Sequence, residues 1–167
     1  ETKLMRGKDS NGKWRTPFNP FYLCHGGTRG GDYTEGNAWQ YSWHVQQDVD
    51  GLVQLMGGKE AFAAQLDTLF ELEVTEEQSG GELWDVTGLI GQYAHGNEPS
   101  HHVIYLYSMI GKNYRTAELA REICDKFYQP RPDGLCGNDD CGQMSAWYMF
   151  TALGFYPVNP ASGEYVI

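Results

Sequence analysis

Apolar positions recur at helical spacing through most of the chain after residue 37, and they predict a series of helices separated by polar turns. Residues 38–45 form the first predicted helix. Val49, Leu52, Val53 and Met56 mark a second, which Gly57-Gly58 ends, and residues 59–71 form a third with Phe62, Leu66, Leu69 and Phe70 on one face. Residues 74–84 are polar and contain Gly, and a short helical segment is expected over 86–93. Pro99 suits the first turn of a helix over 100–110, because its missing N–H would have no partner there. Residues 114–128 predict a further helix with Ala117, Ala120, Ile123, Cys124 and Phe127 facing inward, broken by Pro130, Pro132 and Gly134. The last helix is expected over 141–153, closed by Gly154. Residues 1–36 have little periodicity and hold Pro17, Pro20, Gly26, Gly27, Gly30 and Gly31, which predicts long loops. Helices of this length joined by polar loops indicate an all-α array of α/α hairpins and argue against a parallel sheet.

Composition narrows the function. The net charge is −10, from 12 basic and 22 acidic residues, with no Lys/Arg cluster, so a nucleic-acid partner is not expected. No apolar run approaches the roughly 20 residues that span a bilayer, and no membrane contact is expected of this segment. Cys24, Cys124, Cys136 and Cys141 are too few and too irregularly spaced for a disulfide scaffold, although Cys136 and Cys141 could pair locally or remain free thiols. The chain starts without Met and stops in Glu164-Tyr165-Val166-Ile167, a strand-like beginning, so a piece of a longer enzyme is expected. Aromatic residues make up 14% of the chain, and many adjoin polar motifs where a flat ring can stack on a sugar.

Three acidic turns carry the candidate chemistry. Asp139 and Asp140 lie in a glycine-flanked turn before the apolar stretch Met144-Ser145-Ala146-Trp147. The bland reading of Asp140 is a helix N-cap, with Gln143 three residues on completing the signature. A helix N-terminus also favours the ionised carboxylate that a general base requires, so the two readings can coexist. Glu98 precedes Pro99 and shares eight residues with His95, Asn97, His101 and His102, which offer oxygen ligands for a hard cation or partners for sugar hydroxyls. On a helix, His101 and His102 point to different faces. Glu35 precedes Gly36 and lies near Trp39, where a dry indole-lined cleft would raise its pKa toward the range of a general acid. Glycoside hydrolysis needs one protonated and one ionised carboxyl group facing across the scissile bond, and the combination of turns fits that need.

At Met5-Arg6-Gly7, at residues 35–41, at residues 91–102 and from Gly137 through Pro160 the sequence resembles glycoside hydrolase family 92, the calcium-dependent exo-acting α-mannosidases found chiefly in bacteria. The resemblance implies an inverting enzyme, built as a β-sandwich followed by a six-hairpin α/α toroid, acting on α-1,2-linked mannose of mannan or N-glycans. It implies Glu35 as general acid and Asp140 as general base, aided by Asp139. Family members often carry an acid where this chain has Asn138, which cannot accept the proton. Trp39, His95, Glu98 and Asn138 are expected to touch the substrate, and Asn97 and Glu98 to ligate Ca2+. Residues 1–167 are then a fragment of the toroid, lacking the β-sandwich and the earlier helices, packed on the rest of the parent chain and inactive alone. Secretion or a bacterial periplasmic location is implied as well. Two rivals remain open: a zinc hydrolase using His95, Glu98 and His101 or His102, and a non-catalytic carbohydrate-binding module.

Overall fold

A computed structural model describes residues 3–23, 32–79 and 86–167. Cys24 and the glycines at 26, 27, 30 and 31 lie outside the described residues. The described part is mostly helical: α1 (Ala38–Tyr41), α2 (Val49–Leu55), α3 (Lys59–Glu71), α4 (Glu76–Ser79), α5 (Leu106–Met109), α6 (Asn113–Phe127) and α7 (Gln143–Leu153). Turns of 3₁₀ helix cover Glu98–Ser100, Val103–Tyr105 and Pro160–Ser162. The strands β1 (Leu89–Ile90) and β2 (Tyr93–Ala94) pair antiparallel with Ile90 opposite Tyr93.

The helices form where apolar residues share a face. Phe62, Ala63, Leu66, Leu69 and Phe70 bury one side of α3, and Thr116, Leu119 and Ile123 bury one side of α6. Asp48 caps α2 by accepting the Gly51 N–H at 2.9 Å. α2 packs on α3, and α5 on α6. Left-handed glycines make these joints short: Gly57 and Gly58 between α2 and α3, and Gly111 between α5 and α6. Trp43, Phe62, Leu66, Tyr93, Ile104 and Trp147 anchor the core, each fully buried. On the outer side of α7, Tyr148, Met149 and Leu153 are exposed.

Boundaries moved where tertiary contacts claimed backbone groups. The helix expected over 38–45 stops at Tyr41, and the Trp43 carbonyl accepts His102 Nε2–H at 2.7 Å instead of a helical amide. The helix expected over 100–110 is split into 3₁₀ turns and the short α5. All of residues 100–107 are buried, so no single apolar stripe governs them. Two of their carbonyls are diverted: His101 O accepts the Trp147 indole N–H at 2.9 Å, and Ile104 O accepts the Thr116 hydroxyl at 2.8 Å.

The segment over 86–93 is a correction, since it forms a hairpin and not a helix. Its two-residue turn places Gly91 at φ 56°, the left-handed position that such turns give to Gly. The turn also presses on the end of α3, where the Gln92 N–H donates to Leu69 O at 2.7 Å and satisfies a carbonyl near the C-terminus of that helix. A Cβ on Gly91 would stand 2.5 Å from Leu69 O, whereas Gly12, also left-handed, has nothing within 4 Å. Gly91→Ala is therefore expected to cost about 2–5 kcal/mol, combining left-handed strain with overpacking. Gly12→Ala should cost about 1–2 kcal/mol from strain alone. Equal urea midpoints for the two variants would refute the close-approach explanation.

Candidate active site

The first acidic turn is built around Tyr41. Asn37 opens α1 with a reciprocal cap, its side chain accepting the Gln40 N–H at 3.1 Å while Gln40 Oε1 accepts the Asn37 N–H at 2.9 Å. Asn37 Nδ2 also donates to Gln92 Oε1 at 3.0 Å, which ties α1 to the hairpin. The Tyr41 hydroxyl donates to Thr34 O at 2.6 Å, and its ring covers Gly36. On the other side, Asn97 Nδ2 donates to Glu35 O at 2.5 Å. Glu35 is thus pinned through its backbone in a left-handed conformation, φ 53°, while its carboxylate is exposed. Such a conformation in a non-glycine residue persists only when its surroundings over-determine it.

The second motif is held by three buried imidazoles. Tyr128 donates its hydroxyl to Met144 O at 3.0 Å, so it accepts the His95 Nε2–H at 2.7 Å; His95 Nδ1 in turn accepts from Tyr93 at 2.8 Å. His101 donates Nε2–H to His95 O at 2.8 Å and accepts Gln143 Nε2–H at Nδ1, 3.0 Å away. His102 donates Nε2–H to Trp43 O and faces Gln46 Nε2 with Nδ1. Burial holds all three neutral: His95 is lowered to about 3, with the nearby His101 adding to the effect. His102 is lowered to about 4, and His101 is lowered despite its bond to the His95 carbonyl and the charges of Glu98 and Asp140.

The third motif departs from the expected cap. Helix α7 starts at Gln143 because Asp140, Cys141 and Gly142 are all left-handed, with φ of 50°, 56° and 97°. Asp140 is not the capping side chain. Asp139 is: its Oδ1 accepts the Ser145 N–H at 3.0 Å and the Ser145 hydroxyl at 2.9 Å. Gln143, expected to complete the cap, instead reaches His101 and lies beside Tyr156. Asp140 and Asn138 are exposed, and Asp140 takes no side-chain hydrogen bond among the described residues.

Hydrogen bonds from Asn97 to Glu35 O and from Gln143 to His101 join the three turns in a row, which forms a rim. A cleft of about 230 Å³ is lined by Glu98, His101, Gln143, Trp147, Tyr156 and neighbouring side chains. After burial, the charges of Glu35 and Glu98 push the Tyr41 hydroxyl upward, while those of Glu98 and Asp140 act on His101. Glu98 therefore links the surroundings of Glu35 to those of Asp140. Trp39 and His95, expected at the sugar, lie in the core. His95 is 0% exposed and Trp39 only 8%, its ring stacked near Phe21 at 6.4 Å. The same hydrogen bonds correct the zinc reading, because both ring nitrogens of each of these histidines are already engaged. Cys136 and Cys141 are free thiols. The roles of Tyr128 and Tyr156 were not legible, since their spacing reads only as helix end and loop; the polar Tyr41 and Gln143 did carry a signal, read as loop neighbour and cap.

The whole chain, residues 1–167, matches the glycosyl hydrolase family 92 catalytic domain. The chain belongs to glycosyl hydrolase family 92. A family GH92 α-mannosidase from Bacteroides thetaiotaomicron, solved in complex with mannoimidazole, is similar over 99% of the chain and 22% of its own length, with 51% identity and a TM-score of 0.88. A second solved family 92 glycosyl hydrolase shares the fold, with a TM-score of 0.70 at 22% identity over 93% of the chain and 22% of its own. An uncharacterised secreted glycosidase of Arthroderma benhamiae is 26% identical over the full chain. The chain spans about a fifth of that relative's length, at 21%.

The buried imidazoles of this family 92 chain give its stability a defined pH dependence. Unfolded histidines bind protons near pH 6.5, whereas His95 and His102 resist protonation down to about 3 and about 4. Below pH 6.5 the unfolded state binds more protons, so stability falls as pH falls, by up to about 1.4 kcal/mol per pH unit for each such histidine. Urea midpoints between pH 7.5 and 4.5 should decline, and His102→Gln should flatten the slope. A profile level through that range would contradict neutral burial.

Proposed function

We propose that the polypeptide carrying this chain is an exo-acting α-mannosidase that inverts the anomeric centre and releases α-1,2-linked mannose from mannan or N-glycans. The observation that carries this reading is the 51% identity, over 99% of the chain, to a family 92 α-mannosidase. The shared rim of Glu35, Glu98 and Asp140 supports it.

In this mechanism Glu35, held at the loop before α1, gives its proton to the departing oxygen. Asp140, just ahead of the N-terminus of α7, removes a proton from water on the opposite face of the sugar. Inversion needs the two carboxyl groups roughly 6.5–9.5 Å apart, so that water fits between the base and the anomeric carbon. His101 and Gln143 line the cleft beside Glu98, and the hydrogen bond between them fixes that wall.

Asn97 and Glu98 are the residues that would hold calcium. Their chemistry fits a hard cation, since Asn97 commits its amide N–H to Glu35 O and leaves Oδ1 as an acceptor, and the next residue in the chain, Glu98, is exposed. Bound there, calcium would supply a positive centre for adjacent sugar hydroxyls. Residues 1–167 are read as part of a larger α/α toroid, a reading supported by the paired α2–α3 and α5–α6 and by the exposed apolar side of α7. Secretion is supported by the description of the Arthroderma relative; no helix of the described residues is long and apolar enough to cross a membrane.

The decisive assay uses the intact enzyme on α-linked mannobioses, with the first-formed anomer followed by NMR. β-Mannose is expected first, and α-mannose would overturn the inverting mechanism. Glu35→Gln and Asp140→Asn should each lower kcat by about 10²–10⁴-fold. Chelation should abolish most activity, restored by calcium and not by zinc; full activity in excess chelator would remove the metal from the scheme.

A further inference from the structure

We propose that Asp139 is a positioning residue whose carboxylate caps α7, so that the adjacent Asp140 carboxylate stays uncommitted. The proposal rests on Asp140 being the base proposed above.

A helix start presents several N–H groups without helical partners, and a nearby Asp side chain is a preferred acceptor for one of them. Two adjacent aspartates at one helix start therefore compete for the same donors. Here the competition is resolved in favour of Asp139. Its backbone oxygen accepts from Gly142 and from Met144, each at 3.2 Å. Its Oδ1 takes both the Ser145 N–H and the Ser145 hydroxyl. The Gln143 N–H goes to the backbone oxygen of Asp140 at 3.2 Å and leaves that residue's carboxylate unused.

The backbone states why such a clasp is needed. Asp140, Cys141 and Gly142 are consecutively left-handed, and two of the three carry a Cβ. Residues with side chains avoid that region unless neighbouring bonds enforce it. The bonds from Gly142, Met144 and Ser145 to Asp139 close the loop over these three residues. Without them the turn can relax and Asp140 can take over the cap, withdrawing the base from its substrate.

Substitutions separate this role from direct proton transfer. Asn at 139 keeps an Oδ1 acceptor but cannot serve as a base; Ala has neither property. In the intact enzyme, kcat and KM on an aryl α-mannoside would be compared for Asp139→Asn, Asp139→Ala, Ser145→Ala and Asp140→Asn. Asp139→Asn should stay within about threefold of wild-type kcat, and Asp139→Ala should lose about 10²-fold with KM little changed, as expected for a displaced reacting group. Ser145→Ala, which keeps its N–H bond, should fall between them. Equal loss in Asp139→Asn and Asp139→Ala would overturn the proposal by making the 139 carboxylate a proton carrier, and an unaffected Asp139→Ala would overturn it as well. Should Asp139→Ala fail to fold, Ser145→Ala decides, and wild-type kcat there refutes the clasp. An active Asp140→Asn would instead remove the base assignment.

Discussion

His101 is the joint on which the rim depends. Its Nε2–H is given to the carbonyl of His95, its Nδ1 is met by Gln143 from α7, and its own carbonyl takes the indole N–H of Trp147. One neutral imidazole therefore joins the segment bearing Glu98 to the helix that follows Asp140. The arrangement works because burial keeps the ring uncharged. A protonated ring would have no acceptor for Gln143 and would leave a charge away from water. His95 stands behind it, its ring 4.3 Å from that of Trp147 and bonded at both nitrogens to tyrosines.

Backbone strain is concentrated where the exposed acids are. Glu35 and Asp140 lie in separate parts of the chain, yet both occupy left-handed conformations. Each is flanked by bonds that use backbone or neighbouring groups and spare the carboxylate: Asn97 and Tyr41 hold the first turn, Asp139 and Ser145 the second. A carboxylate presented in this way reaches solvent from a fixed mount. Its backbone is determined, and its oxygens remain for substrate or water.

The helical skeleton was legible because it follows from local rules. α3 occupies the expected residues 59–71, and α2 and α6 lie within a residue or two of expectation, since each has one apolar face and a Gly or polar boundary. The hairpin at 89–94 was not legible, because Val86, Leu89, Ile90 and Tyr93 satisfy a short helical pattern as well as a strand one. What selected the strand form was Gly91 fitting against α3, a contact that lies outside the local window. The broken helix over 100–110 has the same origin, since residues 100–107 are buried on every side and two of their carbonyls are claimed by α6 and α7.

The chain by itself determined which residues could carry chemistry: three acidic turns, their amide and aromatic neighbours, and the family 92 motifs that contain them. Those follow from residue type and spacing, which are properties of the covalent chain. Tertiary structure alone decided the division of labour. It turned His95 and Trp39 into core, made Asp139 the cap and left Asp140 exposed, and drew Gln143 to His101. The physical reason is that a side chain's solvent access and hydrogen-bond partners depend on what packs beside it, often dozens of residues away, and no local spacing encodes that neighbour.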